Sequence, residues 1–87
     1  MATVYMPTLL EGLTGGQQPI RVDGVTVLEV IAHLDEAYPG LRERLMEGDR
    51  LRRNVAVAVD GEINQAGLLS PVGPVAEVHF VFSLKGG

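Results

Sequence analysis

The sequence predicts an α+β fold in which a mixed sheet of four to five strands packs on one main helix. Three observations carry this expectation. Two strand-type segments open the chain, one long helical periodicity follows, and strand-type segments then run to the end. A chain of 87 residues has room for one small core, and its 46% apolar content against 21% charged is enough to build it. The expected organisation is one domain over residues 1–83 and a flexible tail over residues 84–87.

Thr3 to Leu9 mixes β-branched, aromatic and aliphatic residues in partial alternation and reads as the first strand. The stretch "EGLTGGQQ" reads as a long loop leading to a second strand near Pro19 to Val22. No helical pattern follows Gly15-Gly16, so the pair reads as a turn rather than a phosphate cradle. The period then changes from two to about 3.6. Thr26 followed by Glu29 is a capping box, and Val25 with Val30 takes the spacing of a hydrophobic staple. Val27, Val30, Ile31, Leu34, Ala37 and Tyr38 form one apolar stripe that should cover the sheet. Pro39-Gly40 ends this helix, and Leu41 to Met46 adds a short helical turn. "NVAVAVDGEI" gives a buried strand, a turn at Asp60-Gly61 and a brief return strand. After "LLSPVGPV" the last strand runs from Glu77 to about Ser83. The first and last strands are expected at the centre of the sheet, an arrangement that suits a β-grasp.

Composition narrows the chemistry. The absence of cysteine excludes disulfides, thiolate metal sites and a cysteine nucleophile. The N-terminus lacks the basic start and long apolar run of a signal peptide, and no segment is long enough to span a bilayer, so a cytosolic location and no membrane partner are expected. A net charge of −4 argues against nucleic acid as a general partner. Arg50, Arg52 and Arg53 make the one basic cluster and read as a solvated loop leading into the next strand. His33 and His79 have no second ligand at a convincing spacing, and Asp35 and Glu36 point in different directions on a helix. Asp60 belongs to a turn. The expectation is therefore no catalytic residue, no metal and no bound cofactor.

The last strand and the tail draw more attention. Val78, Phe80, Phe82 and Leu84 point one way, while Glu77, His79, Val81 and Ser83 point the other. If the first set faces the helix, His79, Val81 and Ser83 form a candidate partner patch beside the tail. Ordinary glycine usage would place a Gly-Gly pair at the last two positions in only roughly 0.5% of chains.

"VHFVFSLKGG" resembles the end of ubiquitin position by position: apolar Val78, His79, apolar Phe80, Val81 and Phe82, then Leu84, basic Lys85 and Gly86-Gly87, with Ser83 where ubiquitin has arginine. "MPTLLEGLTGGQ", the helix "VLEVIAHLDEAYPGLRERL" and the final Gly-Gly resemble the ThiS/MoaD family of sulfur carriers, and the hairpin is most similar to the cysteine-biosynthesis carriers. The resemblance implies a ubiquitin-like β-grasp, monomeric on its own. It also implies that an activating enzyme adenylates the Gly87 carboxylate with ATP. A sulfur donor then converts the adenylate to a thiocarboxylate, which supplies a sulfur-accepting biosynthetic enzyme. Cysteine formation is the first pathway expected; molybdopterin, thiamin, thiolated tRNA and secondary metabolites stay open. Gly86, Lys85 and Leu84 are the expected tail-recognition residues. Two other readings remain: a modifier joined through Gly87 to target lysines, and an interaction module whose glycines are incidental.

Overall fold

The computed structural model describes residues 1–16, 19–63 and 66–82. In chain order the elements are β1 (Ala2–Tyr5), α1 (Glu11–Thr14), β2 (Ile20–Val22), α2 (Val27–Ala37), α3 (Leu41–Leu45), β3 (Met46–Glu47), β4 (Arg50–Leu51), β5 (Val55–Val59), β6 (Glu62–Ile63) and β7 (Glu77–Phe82). Five strands form a mixed sheet in the order β2-β1-β7-β5-β6, and β3 with β4 makes a separate small ribbon. β1 and β7 pair in parallel as neighbours inside the sheet, which places the first and last strands centrally as the sequence predicts. The expected boundary of the domain after Ser83 lies outside the described residues. No helix among the described residues is long and apolar enough to cross a membrane.

One face of the sheet is buried because alternate strand residues meet the α2 stripe. Val4 and Val78 lie against Val27, Val30, Ile31 and Leu34 in a core where all six are fully buried. The helix starts where the sequence marks it. Glu29 donates its N–H to Thr26 Oγ1 at 3.3 Å, and Glu29 Oε1 accepts from the Val25 N–H at 3.1 Å, one residue earlier than the usual box.

The hydrophobic staple is not made. Val25 is 64% exposed, and the position against Val30 belongs to Gly24 instead. A Cβ on Gly24 would fall 2.8 Å from Val30 Cγ2 and 2.9 Å from the Val30 backbone nitrogen. Because the helix backbone cannot move aside cheaply, Gly24→Ala should lower stability by about 2 kcal/mol, measured by urea unfolding. Ala37 is exposed rather than buried in the stripe: it opens onto a surface cleft shared with Arg21, Asp23 and His33.

The first strand is shorter than its composition suggests. It ends at Tyr5 because Pro7 has no N–H for the ladder, and the Leu10 N–H bonds back to the Pro7 carbonyl in a tight turn over Thr8–Leu10. α1 follows inside the segment expected to be loop. Gly15 closes it at φ 66°, so the glycine pair does serve as a terminator. Asp35 is not a free surface carboxylate either: its Oδ1 accepts from the N–H groups of Gly40 and Arg42, both at 3.1 Å, and caps α3.

Ser70 is fully buried, and among the described residues its Oγ has no hydrogen-bond partner. A hydroxyl in that position costs desolvation without return, so Ser70→Ala should be neutral or stabilising by up to about 1 kcal/mol in a thermal melt.

Candidate functional site

The strand that leads into the tail is held at both of its edges. β7 pairs with β1 from Thr3↔Glu77 to Tyr5↔His79 and with β5 from Val59↔Val78 to Val55↔Phe82. Its start is fastened by the turn at Asp60, which adopts φ 52° beside Gly61 at φ 85°. Asp60 donates its N–H to the Glu77 carbonyl at 2.8 Å, and its Oδ1 accepts from the Glu77 N–H at 2.9 Å. The turn assignment of Asp60 holds, with its carboxylate used as a clamp. The strand is therefore a rigid base for whatever follows Phe82.

The residues expected to carry the chemistry or to be recognised with it, Gly87, Gly86, Lys85, Leu84 and the patch member Ser83, lie outside the described residues. His79 and Val81 are described, and both project from the face of the sheet opposite α2. Val81 is 52% exposed, whereas Val78 and Phe80 on the other face are buried.

Register then adds residues that the sequence did not assign to the patch. Tyr5, His79, Ala58 and Ile63 stand side by side across four strands, and Val81 stands beside Ala56 in a neighbouring row. The rings of Tyr5 and His79 stack with centroids 4.4 Å apart and planes 12° from parallel. Ile63 is 72% exposed at the sheet edge. The open face is thus an apolar and aromatic surface that no element among the described residues covers. Glu77 lies at its margin, with Oε1 3.7 Å from His79 Nε2. Tyr5 could have been found by alternation from buried Val4. Ile63 could have been found from the two-residue turn at Asp60-Gly61, which sets it opposite Ala58.

The other candidates resolve into structural roles. His33 Nδ1 bonds the Asp23 carbonyl; a carbonyl only accepts, so Nδ1 carries the proton and the ring ties α2 to the end of β2. Among the described residues, no group of three or more His, Asp or Glu side chains is placed to hold a metal ion.

A five-stranded mixed sheet with parallel inner strands and one long helix across one face define a ubiquitin-like β-grasp protein. The chain belongs to the ThiS family, whose model matches residues 9–87. It is 40% identical over 90 aligned positions to the sulfur carrier protein CysO of Mycobacterium tuberculosis, with 98% of this chain and 97% of the relative covered. Among solved structures it superposes on the crystal structure of a BexX/CysO complex from Amycolatopsis orientalis with a TM-score of 0.93 and 30% identity, covering both chains fully. The crystal structure of Mycobacterium tuberculosis CysO gives a TM-score of 0.89 at 31% identity, over 97% of this chain and all of that one.

Proposed function

We propose that this protein is a sulfur carrier that works through the carboxylate of Gly87. The observation that carries the reading is the match to the sulfur carrier CysO along almost the whole of both chains, together with a family model that runs through residue 87. In the proposed cycle a carboxylate oxygen of Gly87 attacks the α-phosphorus of ATP and pyrophosphate leaves. Hydrosulfide released by the sulfur donor then attacks the acyl carbon, the acyl–phosphate bond breaks with AMP as the leaving group, and loss of a proton leaves the thiocarboxylate. It is spent when its sulfur passes to an acceptor, with cysteine formation as the first pathway to test. The chain itself is the substrate of an activating enzyme and then of the sulfur-accepting enzyme, and supplies no catalytic group.

The tail has a physical reason to end in glycines. Residues without Cβ allow close backbone approach in a narrow channel and accept dihedrals closed to other residues. Lys85 offers a charge, and Leu84 an apolar contact, to the enzyme that receives the tail. The open face supplies the docking surface, with Val81 and Ile63 as its apolar elements and Tyr5 and His79 as its aromatic ones. This reading predicts that Val81→Asp raises the KM of the activating enzyme for the carrier about tenfold or more, by placing an unpaired charge in a desolvated contact. Steady-state kinetics with unchanged far-ultraviolet circular dichroism would check it.

The test of the function is the intact mass of the protein isolated from its native cells under conditions that protect thioacids. Replacement of one oxygen by sulfur, localised to Gly87, is expected. Unmodified chain together with lysine-linked conjugates would replace the carrier by a protein modifier.

A further inference from the structure

The charges of this protein are sharply segregated. Residues 42–53 hold five of the seven Lys and Arg residues against three of the eleven carboxylates, a balance of +2 that leaves −6 for the rest of the chain. The register shows where part of that basic segment lies. Val55 pairs with Phe82, so the start of β5 stands beside the end of β7. Arg53, two residues before Val55, has its Cα within about 12 Å of that of Phe82.

Arg52 is held in place. Its N–H bonds the Leu45 carbonyl at 3.0 Å, its carbonyl accepts from the Val55 N–H at 3.0 Å, and its Nε donates to the Glu43 carbonyl at 2.8 Å. The guanidinium is thereby ordered while the residue stays exposed. Neither Arg52 nor Arg53 has a carboxylate within ion-pair distance among the described residues. An ordered, uncompensated arginine is the form in which a cation serves recognition, because less side-chain entropy remains to be lost.

We infer that Arg52 and Arg53 form a basic collar at the root of the tail that docks on an acidic rim around the active-site mouth of the tail-processing enzyme. The proposal rests on the carrier reading and adds the chemistry of the partner's surface. Gly87 lies five residue steps beyond Phe82, so an active site holding the Gly87 carboxylate lies at most about 18 Å from the end of β7. The enzyme surface around that mouth must then face the collar. The remaining acidic surface would be repelled by the same rim, so the carrier meets its partner tail first.

The experiment is ATP–pyrophosphate exchange by the activating enzyme at increasing salt, with the wild-type carrier, R52E/R53E and R42E/R44E. Both double variants change net charge equally, but only the first alters the root of the tail. R52E/R53E should raise the KM for the carrier about tenfold at low salt with kcat unchanged, and the difference should shrink at high salt. R42E/R44E should stay within about twofold. Equal shifts in the two variants, or none in R52E/R53E, overturn the collar. Absence of exchange with wild type would instead overturn the carrier reading. In that event the collar is tested by nuclear magnetic resonance with poly-L-glutamate and with bulk transfer RNA as probes. Perturbations centred on Arg52, Arg53 and Val55 with polyglutamate support it; unlocalised shifts, or tighter binding to the RNA, overturn it.

Discussion

Removal of Gly86 and Gly87 is expected to abolish thiocarboxylate formation while leaving the melting temperature of the domain where it was. The deletion withdraws the terminal carboxylate by about 7 Å, and a misplacement of even about 1 Å at a reacting centre costs on the order of a hundredfold in rate. Activity should therefore fall below detection in an assay with a thousandfold range. The described core lies within residues 2–80, so thermal unfolding should be unchanged. Retained sulfur transfer by the shortened chain would make the glycines incidental and sink the proposed function.

The largest stability effect is expected at Leu34. Its side chain is fully buried on the α2 stripe, and truncation to alanine leaves a cavity that the neighbouring strands and helix cannot close. Leu34→Ala should cost about 3–4 kcal/mol. A domain of this length has a total stability of only about 4–13 kcal/mol, so the variant should melt roughly 15 °C lower and part of it should be unfolded at physiological temperature. Differential scanning calorimetry decides this: a fall of only a few degrees would show that the site repacks.

What the sequence disclosed follows from which signals are local. α2 was legible because a capping box, an apolar stripe and a Pro-Gly stop all refer to neighbours within four residues. The hairpin at Asp60-Gly61 was legible for the same reason. The small ribbon of β3 and β4 was not, since two-residue strands are too short to show alternation. α1 was hidden because "EGLT" has the length of a single turn, and its burial of Thr14 depends on the rest of the core. Asp35 looked like solvated surface because the N–H groups its Oδ1 accepts from belong to Gly40 and Arg42, beyond the helix end.

The candidate site divided along the same line. His79 and Val81 were assigned to the open face from strand parity alone. Tyr5 follows by alternation from Val4 and Ile63 from the hairpin at Asp60-Gly61, but their standing in one row with His79 rests on the pairing of β7 with β1 and β5, segments far apart in sequence, which no local pattern encodes. Arg52 and Arg53 were read as solvated, and they are exposed. Their place beside the end of β7 emerges only from the pairing of Val55 with Phe82.

The parallel pairing of β1 with β7 joins Thr3 to Glu77, residues 74 positions apart, and both strands are inner members of the sheet. A growing polypeptide cannot form the middle of this sheet until its last strand has been synthesised, and closing so long a loop makes folding a late event. A prematurely terminated product that stops before β7 lacks the strand that bridges its two halves, and with it the core contacts of Val78 and Phe80. Quality control is thus written into the connectivity: the strand that completes the fold is the one that leads to Gly87, so under the proposed function only a chain made through β7 can offer a folded body together with the tail it presents.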